Sequence, residues 1–197
     1  MRTFDYFGKQ LYYLQQDYPV VNHIGERTIA VPIGVEFISK FPILEEVGAV
    51  MPYHLQVGPT HNVVDPFDPW PGCIKMDPEL RDFTGENALS ISTLERAGTS
   101  DYGNTDIDPD KGCPIYQEIL DQADNYFITI PLGYNTRLDT YIRNHSPATT
   151  FMYKQYDPNN RWVRIDVVEW DARYRAPFPY ANVVAFITNL NMGELNQ

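Results

Sequence analysis

The fold class is decided by two consecutive segments, Pro114-Ile115-Tyr116-Gln117-Glu118-Ile119-Leu120-Asp121-Gln122-Ala123 and Tyr126-Phe127-Ile128-Thr129-Ile130-Pro131. The first has a proline at its start and apolar side chains at helical spacing, which predicts a helix. The second is short, β-branched and closed by a proline, which predicts a buried strand. A helix that leads into a buried strand is the crossover of an α/β sheet, so we expect an α/β fold.

Four further segments are short, apolar and closed by an acid, a glycine or a turn, and each predicts a buried strand. They are residues 42–48, 61–65, 88–92 and 183–187. Near the N-terminus, residues 9–16 are expected to form a helix and residues 27–33 to lead into another. Because ligands of α/β sheets bind beyond the carboxyl ends of the strands, we expect the functional site in the loops that follow them.

The length and charge of the chain limit its organisation and partners. Its 197 residues suit one domain, with residues 1–40 as an N-terminal flank or lid and residues 41–190 as the core. The formal net charge of −11 would repel phosphate backbones and anionic lipids, so neither nucleic acid nor a membrane is an expected partner. No signal-peptide pattern opens the sequence, so a cytoplasmic location is expected.

Metal binding is not expected from this sequence. Cys73 and Cys113 lack the spacing of zinc ligands, and we expect two free thiols. The acids Asp106, Asp108 and Asp110 resemble the start of a calcium loop, but the loop glycine falls one residue late. We interpret this run as a loop that caps the following helix.

Two strand ends carry a pattern typical of nucleoside binding. The first predicted strand ends in Glu46-Val47-Gly48, and Asp65 ends the second strand 17 residues after Gly48. A glycine there lets the backbone approach a ligand, and an acid about 20 residues on can bind both ribose hydroxyls. The sequence contains no G-x-G-x-x-G or G-x-x-x-x-G-K-S/T phosphate loop, which disfavours a pyrophosphate ligand. A cationic nucleoside such as S-adenosylmethionine would suit a site ringed by Glu46, Asp65 and Asp68.

The segment Leu89-Ser90-Ile91-Ser92-Thr93-Leu94-Glu95-Arg96-Ala97-Gly98 resembles the I-S-T-x-E-H-x-G signature of a group of class I S-adenosylmethionine-dependent methyltransferases. Residues 44–53 resemble the group's first motif, residues 61–65 its H-x-V-V-D motif, residues 130–135 its P-x-G-Y-N turn and residues 160–162 its N-x-W element. Together they cover roughly residues 25–190 in the right order. The resemblance implies a Rossmann-like fold with a mostly parallel central sheet and a C-terminal antiparallel hairpin.

The resemblance also implies where the cofactor S-adenosylmethionine binds. Glu46 and Gly48 would line its methionine part, with the backbone of Gly48 in close approach. Asp65 would bind the ribose hydroxyls, in agreement with the spacing argument.

The resemblance implies that the remaining cofactor contacts come from two later segments of the chain. The acid beside adenine would lie between residues 77 and 83, where Asp77 and Glu79 are favoured and Asp82 is an alternative. Ser92 would follow the fourth strand and face the donor methyl group, and Glu95 would lie at the mouth of the active site.

One residue departs from the family signature, because Arg96 stands where the group has histidine. A neutral histidine can accept a hydroxyl proton near pH 7, whereas arginine stays protonated. Glu95, Asp101 and His145 are the candidates for a replacement base. Arg96 could instead hold an anionic group of the acceptor.

The expected activity is methyl transfer from S-adenosylmethionine to a small-molecule or glycan acceptor, with a sugar hydroxyl as the leading acceptor. A catalytically impaired S-adenosylmethionine-binding or interaction protein on the same fold is the alternative, motivated by Arg96. No separate recognition domain is expected, so a large acceptor would be held by loops or by a second copy of the chain. A homodimer is therefore a candidate assembly.

Overall fold

Eight strands form one central sheet, and a separate hairpin packs beside it. The computed structural model describes residues 2–14, 25–41, 44–54, 61–102, 105, 107–145, 149–191 and 194. The strands are β1 (Thr3–Tyr6), β2 (Lys9–Tyr12), β3 (Glu45–Val47), β4 (Asn62–Val64), β5 (Cys73–Ile74), β6 (Asn87–Ile91), β7 (Asn125–Pro131), β8 (Thr149–Asp157), β9 (Arg161–Ile165) and β10 (Val183–Thr188). The helices are α1 (Arg27–Lys40), α2 (Gly112–Gln122) and α3 (Thr136–His145).

The central sheet has the order β5-β4-β3-β6-β7-β10-β8-β9. Its first five strands are joined by parallel pairs, whereas β10 is antiparallel to both β7 and β8, and β9 is antiparallel to β8. The α/β class is confirmed. The sheet is mixed, and the expectation of a single C-terminal antiparallel hairpin is wrong. Three strand pairs are antiparallel, because β8 and β9 form a long hairpin that precedes β10 in the chain.

Helices cover both faces of the sheet. On one face, Ile29, Ile33 and Phe37 of α1 pack in a cluster with Leu89 and Phe127. This helix lies within the stretch assigned from sequence to a flank or lid, yet it packs directly against the sheet. On the other face, α2 and α3 bury a second apolar cluster against β6, β7 and β10.

The expected helix at residues 9–16 is wrong where the structure describes that segment, because Lys9–Tyr12 is a strand. Phe7 and Gly8 both have positive φ, 50° and 89°, as in the tight two-residue turn that joins the strands of a hairpin. This turn pairs β2 with β1, and residues 15 and 16 lie outside the described part of the chain.

Helix α3 was not predicted, although its start carries a recognisable signal. The side chain of Asn135 accepts hydrogen bonds from the backbone N–H groups of Arg137 and Leu138, which caps the first turn. Leu138 and Ile142 then fall one helical turn apart and are fully buried. Among the described residues, no helix has the length and apolar character needed to cross a membrane.

Candidate functional site

A pocket lies where the direction of the chain across the sheet reverses. From β3 the chain continues to β4 and β5 and then returns to β6 on the other side of β3. This reversal is a topological switch point, at which open α/β sheets bind ligands beyond the carboxyl ends of the strands. The lining comes from the segments after β3 to β6 and from the start of α2, and includes Gly48, Asp65, Asp77, Thr93, Arg96 and Lys111.

Gly48 sets the close approach of two loops at the switch point. Its φ is +85°, and a Cβ atom there would fall 2.2 Å from the Thr93 hydroxyl oxygen. Only glycine adopts this conformation readily, and only glycine leaves room for Thr93. The Thr93 side chain, in the loop after β6, therefore packs directly on the backbone of Gly48, in the loop after β3.

Asp65 follows β4 and bounds the pocket with its carboxylate. Its Oδ1 accepts hydrogen bonds from the backbone N–H groups of Phe67 and Asp68, each at 2.8 Å, while Oδ2 has one long contact of 3.4 Å from the N–H of Ala49. The two turn contacts fix the carboxylate in place. Oδ2 keeps the capacity to accept a further hydrogen bond from a ligand.

Glu46 lies beneath the loop instead of lining the pocket as expected for a methionine contact. Its Oε1 accepts 2.8 Å hydrogen bonds from the N–H groups of Val50 and Met51, and its Oε2 lies 2.7 Å from Nε2 of His61. Both side chains of the Glu46–His61 pair are almost completely buried. Glu46 therefore organises the backbone of the loop after β3.

Of the two favoured acids after β5, only Asp77 lines the pocket. Asp77 accepts a backbone hydrogen bond from Glu79 and forms an ion pair with Lys111, which enters the pocket from the start of α2. Glu79 is exposed, because the short turn at Pro78–Leu80 directs it outward, and so is the alternative Asp82. The structure thus selects Asp77 from this segment.

The pocket is not the acidic ring expected from the sequence. Its charged lining residues are Asp65, Asp77, Arg96 and Lys111, so their formal charges cancel. Asp68 lies outside it, where its carboxylate accepts hydrogen bonds from the Tyr53 hydroxyl and the N–H of Trp70. The enclosed space is ≈ 70 Å³, well below the roughly 300 to 1,000 Å³ of typical small-molecule sites. A nucleoside must therefore extend beyond this enclosed space or widen it.

Ser92 and Glu95 are buried behind the pocket. Ser92 has φ of +46°, and its N–H binds both the carbonyl and the hydroxyl of Thr129, which turns the chain sharply after β6. Glu95 is fully buried, and neither carboxylate oxygen has a hydrogen-bond partner among the described residues. Burial raises the pKa of Glu95 from 4.5 to about 8, against the opposing charge of Arg96.

Arg96 connects the buried glutamate to the pocket. Its Nε lies 3.5 Å from Glu95 Oε1, and its Nη1 donates a 2.8 Å hydrogen bond to Asp101 Oδ2. The guanidinium also lies 5.1 Å from the ring centre of Tyr134, whose hydroxyl donates to the same oxygen of Asp101. The predicted residues Glu95, Arg96 and Asp101 are therefore brought together, with Tyr134 as a fourth member.

Two residues near the site have no role in the prediction from sequence. Tyr134 belongs to the P-x-G-Y-N turn without a function assigned to it, and Asp139 is not identified at all. Asp139 lies in α3 between the buried Leu138 and Ile142, where an acid on an apolar helix face is the signal that could have identified it. Its Oδ2 accepts a 2.8 Å hydrogen bond from the N–H of Gly133, but its Oδ1 has no described partner. Burial raises the pKa of Asp139 from 3.8 to about 6.

The third candidate base, His145, does not join this cluster. It ends α3, about 15 Å along the helix from the carboxyl edge of the sheet, and its ring stacks on Tyr141. Asp106, of the acidic run, lies outside the described residues. Within the described ranges, no three His, Cys, Asp or Glu side chains come together as metal ligands, and Cys73 and Cys113 are free thiols.

No protein-family model, curated protein or solved structure matches this chain. The likeness to class I methyltransferases therefore rests on the motifs and their positions. The family, the cofactor and the reaction remain predictions.

Proposed function

We propose that this chain is an S-adenosylmethionine-dependent methyltransferase with a class I, Rossmann-like fold, acting on a hydroxyl of a small-molecule or glycan acceptor. The observation that carries the proposal is the arrangement of Gly48, Asp65 and Asp77 around one pocket at the switch point. The order β5-β4-β3-β6-β7 supports the fold, because Rossmann sheets run 3-2-1-4-5 over the corresponding strands.

The loop after β3 supports a nucleoside without phosphates. Phosphate-binding loops present free backbone N–H groups to the ligand. Here the N–H groups of Ala49, Val50 and Met51 all donate to carboxylates, and that of Gly48 donates to the Val64 carbonyl. A pyrophosphate would meet negative carboxylates and no free donor in this loop, which disfavours nicotinamide dinucleotides.

In the proposed complex, Asp65 binds the ribose hydroxyls through Oδ2, and Asp77 lies beside the base. When bound, S-adenosylmethionine supplies an electrophilic methyl group on a sulfonium. The protein's task is then to hold the acceptor oxygen in line with that methyl group and to take up its proton. The ion pair of Asp77 with Lys111 crosses the pocket, so its rearrangement is the step that would admit the nucleoside.

Glu95 is the proposed proton acceptor. A general base works best when its pKa lies near the operating pH, and Glu95 has a pKa of about 8, with no hydrogen bond from a described residue on either oxygen. Arg96 stabilises the ionised form from 3.5 Å and separates it from the pocket. For an acceptor hydroxyl to reach Glu95, the Nε end of Arg96 must move away from Oε1, while Nη1 can stay bound to Asp101.

Melting temperatures in the presence of ligands test the proposal before an acceptor is known. A ligand at about 100 times its Kd stabilises the folded state by roughly 2.7 kcal/mol, which corresponds to several degrees for a chain of this size. S-adenosylmethionine and S-adenosylhomocysteine should raise the melting temperature, and NADH should leave it unchanged. Stabilisation by NADH alone would overturn the choice of cofactor.

The alternative is an S-adenosylmethionine-binding protein with impaired catalysis. The residue that favours this alternative is Arg96. It stands where the methyltransferase signature has histidine, and it forms an ion pair with Asp101. The substitution Arg96→His separates the two proposals once an acceptor is found. Loss of transfer in this variant supports an active site built around Arg96, whereas a large gain supports a decayed one.

A further inference from the structure

A second recess lies beside the proposed active site, between α3 and the segment that precedes β10. It encloses ≈ 270 Å³, close to the lower end of the roughly 300 to 1,000 Å³ typical of small-molecule sites. This size suits one small ring. Its lining includes Thr136, Asp139, Arg143, Trp170, Asp171 and Arg173.

Asp139 gives this recess an unused hydrogen-bond acceptor. The residue is only 5% exposed, and its Oδ2 is held by the N–H of Gly133. Oδ1 is buried and has no hydrogen-bond partner among the described residues. A buried acceptor without a donor is unfavourable, so a ligand hydroxyl that reaches Oδ1 after a shift of the surrounding side chains would satisfy it.

The charges around the recess favour a neutral ligand. Arg143 and Arg173 are balanced by Asp139 and Asp171, and Arg143 lies 3.8 Å from Asp171. The arginines are donors only and the ionised carboxylates are acceptors only. A polyhydroxyl ligand uses both sets, because each hydroxyl donates and accepts. Trp170 is half-buried and adds an apolar face with a polar edge.

The recess is joined to the proposed active site by direct contacts. Gly133 has φ of +82°, and a Cβ atom there would lie 2.5 Å from both the Ala172 carbonyl oxygen and the Tyr174 nitrogen. Tyr174 packs edge-on against Tyr134, with ring centres 5.0 Å apart. Tyr134 in turn binds Asp101, which holds Arg96. A series of contacts therefore connects the lining of the recess to Arg96.

We infer that this recess binds a neutral sugar ring, with Asp139 accepting a ring hydroxyl, Arg143 and Arg173 donating to others and Trp170 packing on the C–H face. Sugar binding here stands independently of the cofactor. The assignment of the bound ring as part of the methyl acceptor rests on the proposed function.

Fluorine NMR of protein labelled with 5-fluorotryptophan tests the inference, since the three tryptophans give separate probes. Trp170 lines the recess, Trp162 is buried elsewhere and Trp70 contacts Asp68. The ligands are the methyl glycosides of glucose, mannose and rhamnose, with glucuronate and sulfate as anionic probes. At least one glycoside should shift the Trp170 resonance saturably, with a Kd on the order of 1 to 10 mM, and should leave Trp162 and Trp70 unshifted.

Two variants and one control make the test specific. Asp139→Asn can keep the contact to Gly133 but places an N–H₂ donor at the Oδ1 position, so affinity should fall at least about fivefold. Arg173→Gln changes an exposed donor and should weaken binding about threefold. Asp68→Asn alters a carboxylate beside Trp70 and should leave affinity unchanged. An unchanged Trp162 resonance reports that each variant is folded.

The outcomes separate this inference from the proposed function. No Trp170 response to any glycoside up to about 100 mM, a weaker affinity than specific sites show, would overturn it. A response to glucuronate or sulfate alone would make the recess an anion site, and full affinity in Asp139→Asn would remove the role of Asp139. Saturable glycoside binding in a protein that binds neither S-adenosylmethionine nor S-adenosylhomocysteine would keep the sugar site and refute the methyltransferase proposal.

Discussion

The carboxylates of Glu46, in β3, and Asp65, after β4, differ from those of Glu95 and Asp139, which follow β6 and β7, in the hydrogen bonds that they receive. Glu46 and Asp65 accept bonds from backbone N–H groups and, for Glu46, from His61. In the described part of the chain, neither oxygen of Glu95 accepts a hydrogen bond, although Arg96 lies 3.5 Å from Oε1, and Asp139 accepts none on Oδ1. All four follow or approach the same edge of the sheet, so the difference lies in the donors supplied by the local loops.

This difference separates carboxylates that hold loop backbones from the side of the site that contains the proposed proton acceptor Glu95. On the β3–β4 side, the carboxylates fix loop backbones and prepare the shape of the pocket. On the β6–β7 side, burial disfavours the charged form and raises the pKa of Glu95 and Asp139, although Arg96 lies beside Glu95 and Gly133 donates to Asp139. Strongly shifted carboxyl groups are typical of acid–base chemistry, which supports the proposal of Glu95 as the proton acceptor.

The largest expected effect contrasts Glu46→Met with Glu95→Met. Removal of Glu46 takes the carboxylate acceptor from the buried N–H of Met51 and the partner from His61, while the N–H of Val50 keeps the Gly48 carbonyl, so the free energy of unfolding should fall by about 4 kcal/mol. Removal of Glu95 breaks no hydrogen bond among the described residues. The free energy of unfolding of Glu95→Met should therefore stay within about 1 kcal/mol of the wild-type value at pH 7. Urea denaturation measures both. Equal losses of stability in Glu46→Met and Glu95→Met would contradict the different roles assigned to the two carboxylates.

A smaller effect tests the loop contact that shapes the pocket. Gly48→Ala forces a side chain into positive φ and against Thr93, and should destabilise the protein by about 3 kcal/mol. Gly85 also has positive φ, +76°, but open space around it, so Gly85→Ala is the matched control and should lose only about 1 kcal/mol. Similar losses in the two variants would show that the contact with Thr93 is unimportant.

The pH dependence of stability gives a third contrast. Between about pH 4.5 and 8 the folded protein keeps Glu95 protonated, whereas the unfolded chain releases that proton. This contribution therefore favours the folded state at low pH and is lost as the pH rises through 8, at on the order of 1 kcal/mol per pH unit. Glu95→Gln lacks this loss, so its stability relative to the wild type should increase from pH 5 to 8. Parallel curves would contradict the raised pKa.

Much of the fold could be predicted from local pattern. The helix at Gly112–Gln122 and the strands at Asn87–Ile91, Asn125–Pro131 and Val183–Thr188 have short apolar runs with clear ends. The strands at Thr149–Asp157 and Arg161–Ile165 carry polar and charged residues between their buried ones. They become strands because β8 pairs with β10 and β9 pairs with β8, and the long-range pairing of β8 with β10 is not visible in a local window.

The site was predictable in its strand-end residues and less so in its side-chain contacts. Gly48 and Asp65 were found because their spacing follows from the sheet itself. The withdrawal of Glu46 into the loop depends on His61 and on two backbone N–H groups, and the exposure of Glu79 depends on a single turn. Asp139 could be recognised as buried only after helix α3 had been predicted. Spacing along the chain indicates which strand end a residue occupies, but the donors around it are set by tertiary packing.

Calorimetric titration with S-adenosylmethionine and S-adenosylhomocysteine tests the central claim most directly, with wild type, Asp65→Asn and Asp68→Asn compared. Asp65→Asn can keep the turn contacts to Phe67 and Asp68 but places a donor toward the ribose, so affinity should fall at least about tenfold. Asp68→Asn, outside the pocket, should bind as the wild type does. No heat of binding for either ligand, or equal affinity in Asp65→Asn, would contradict a nucleoside site at the switch point.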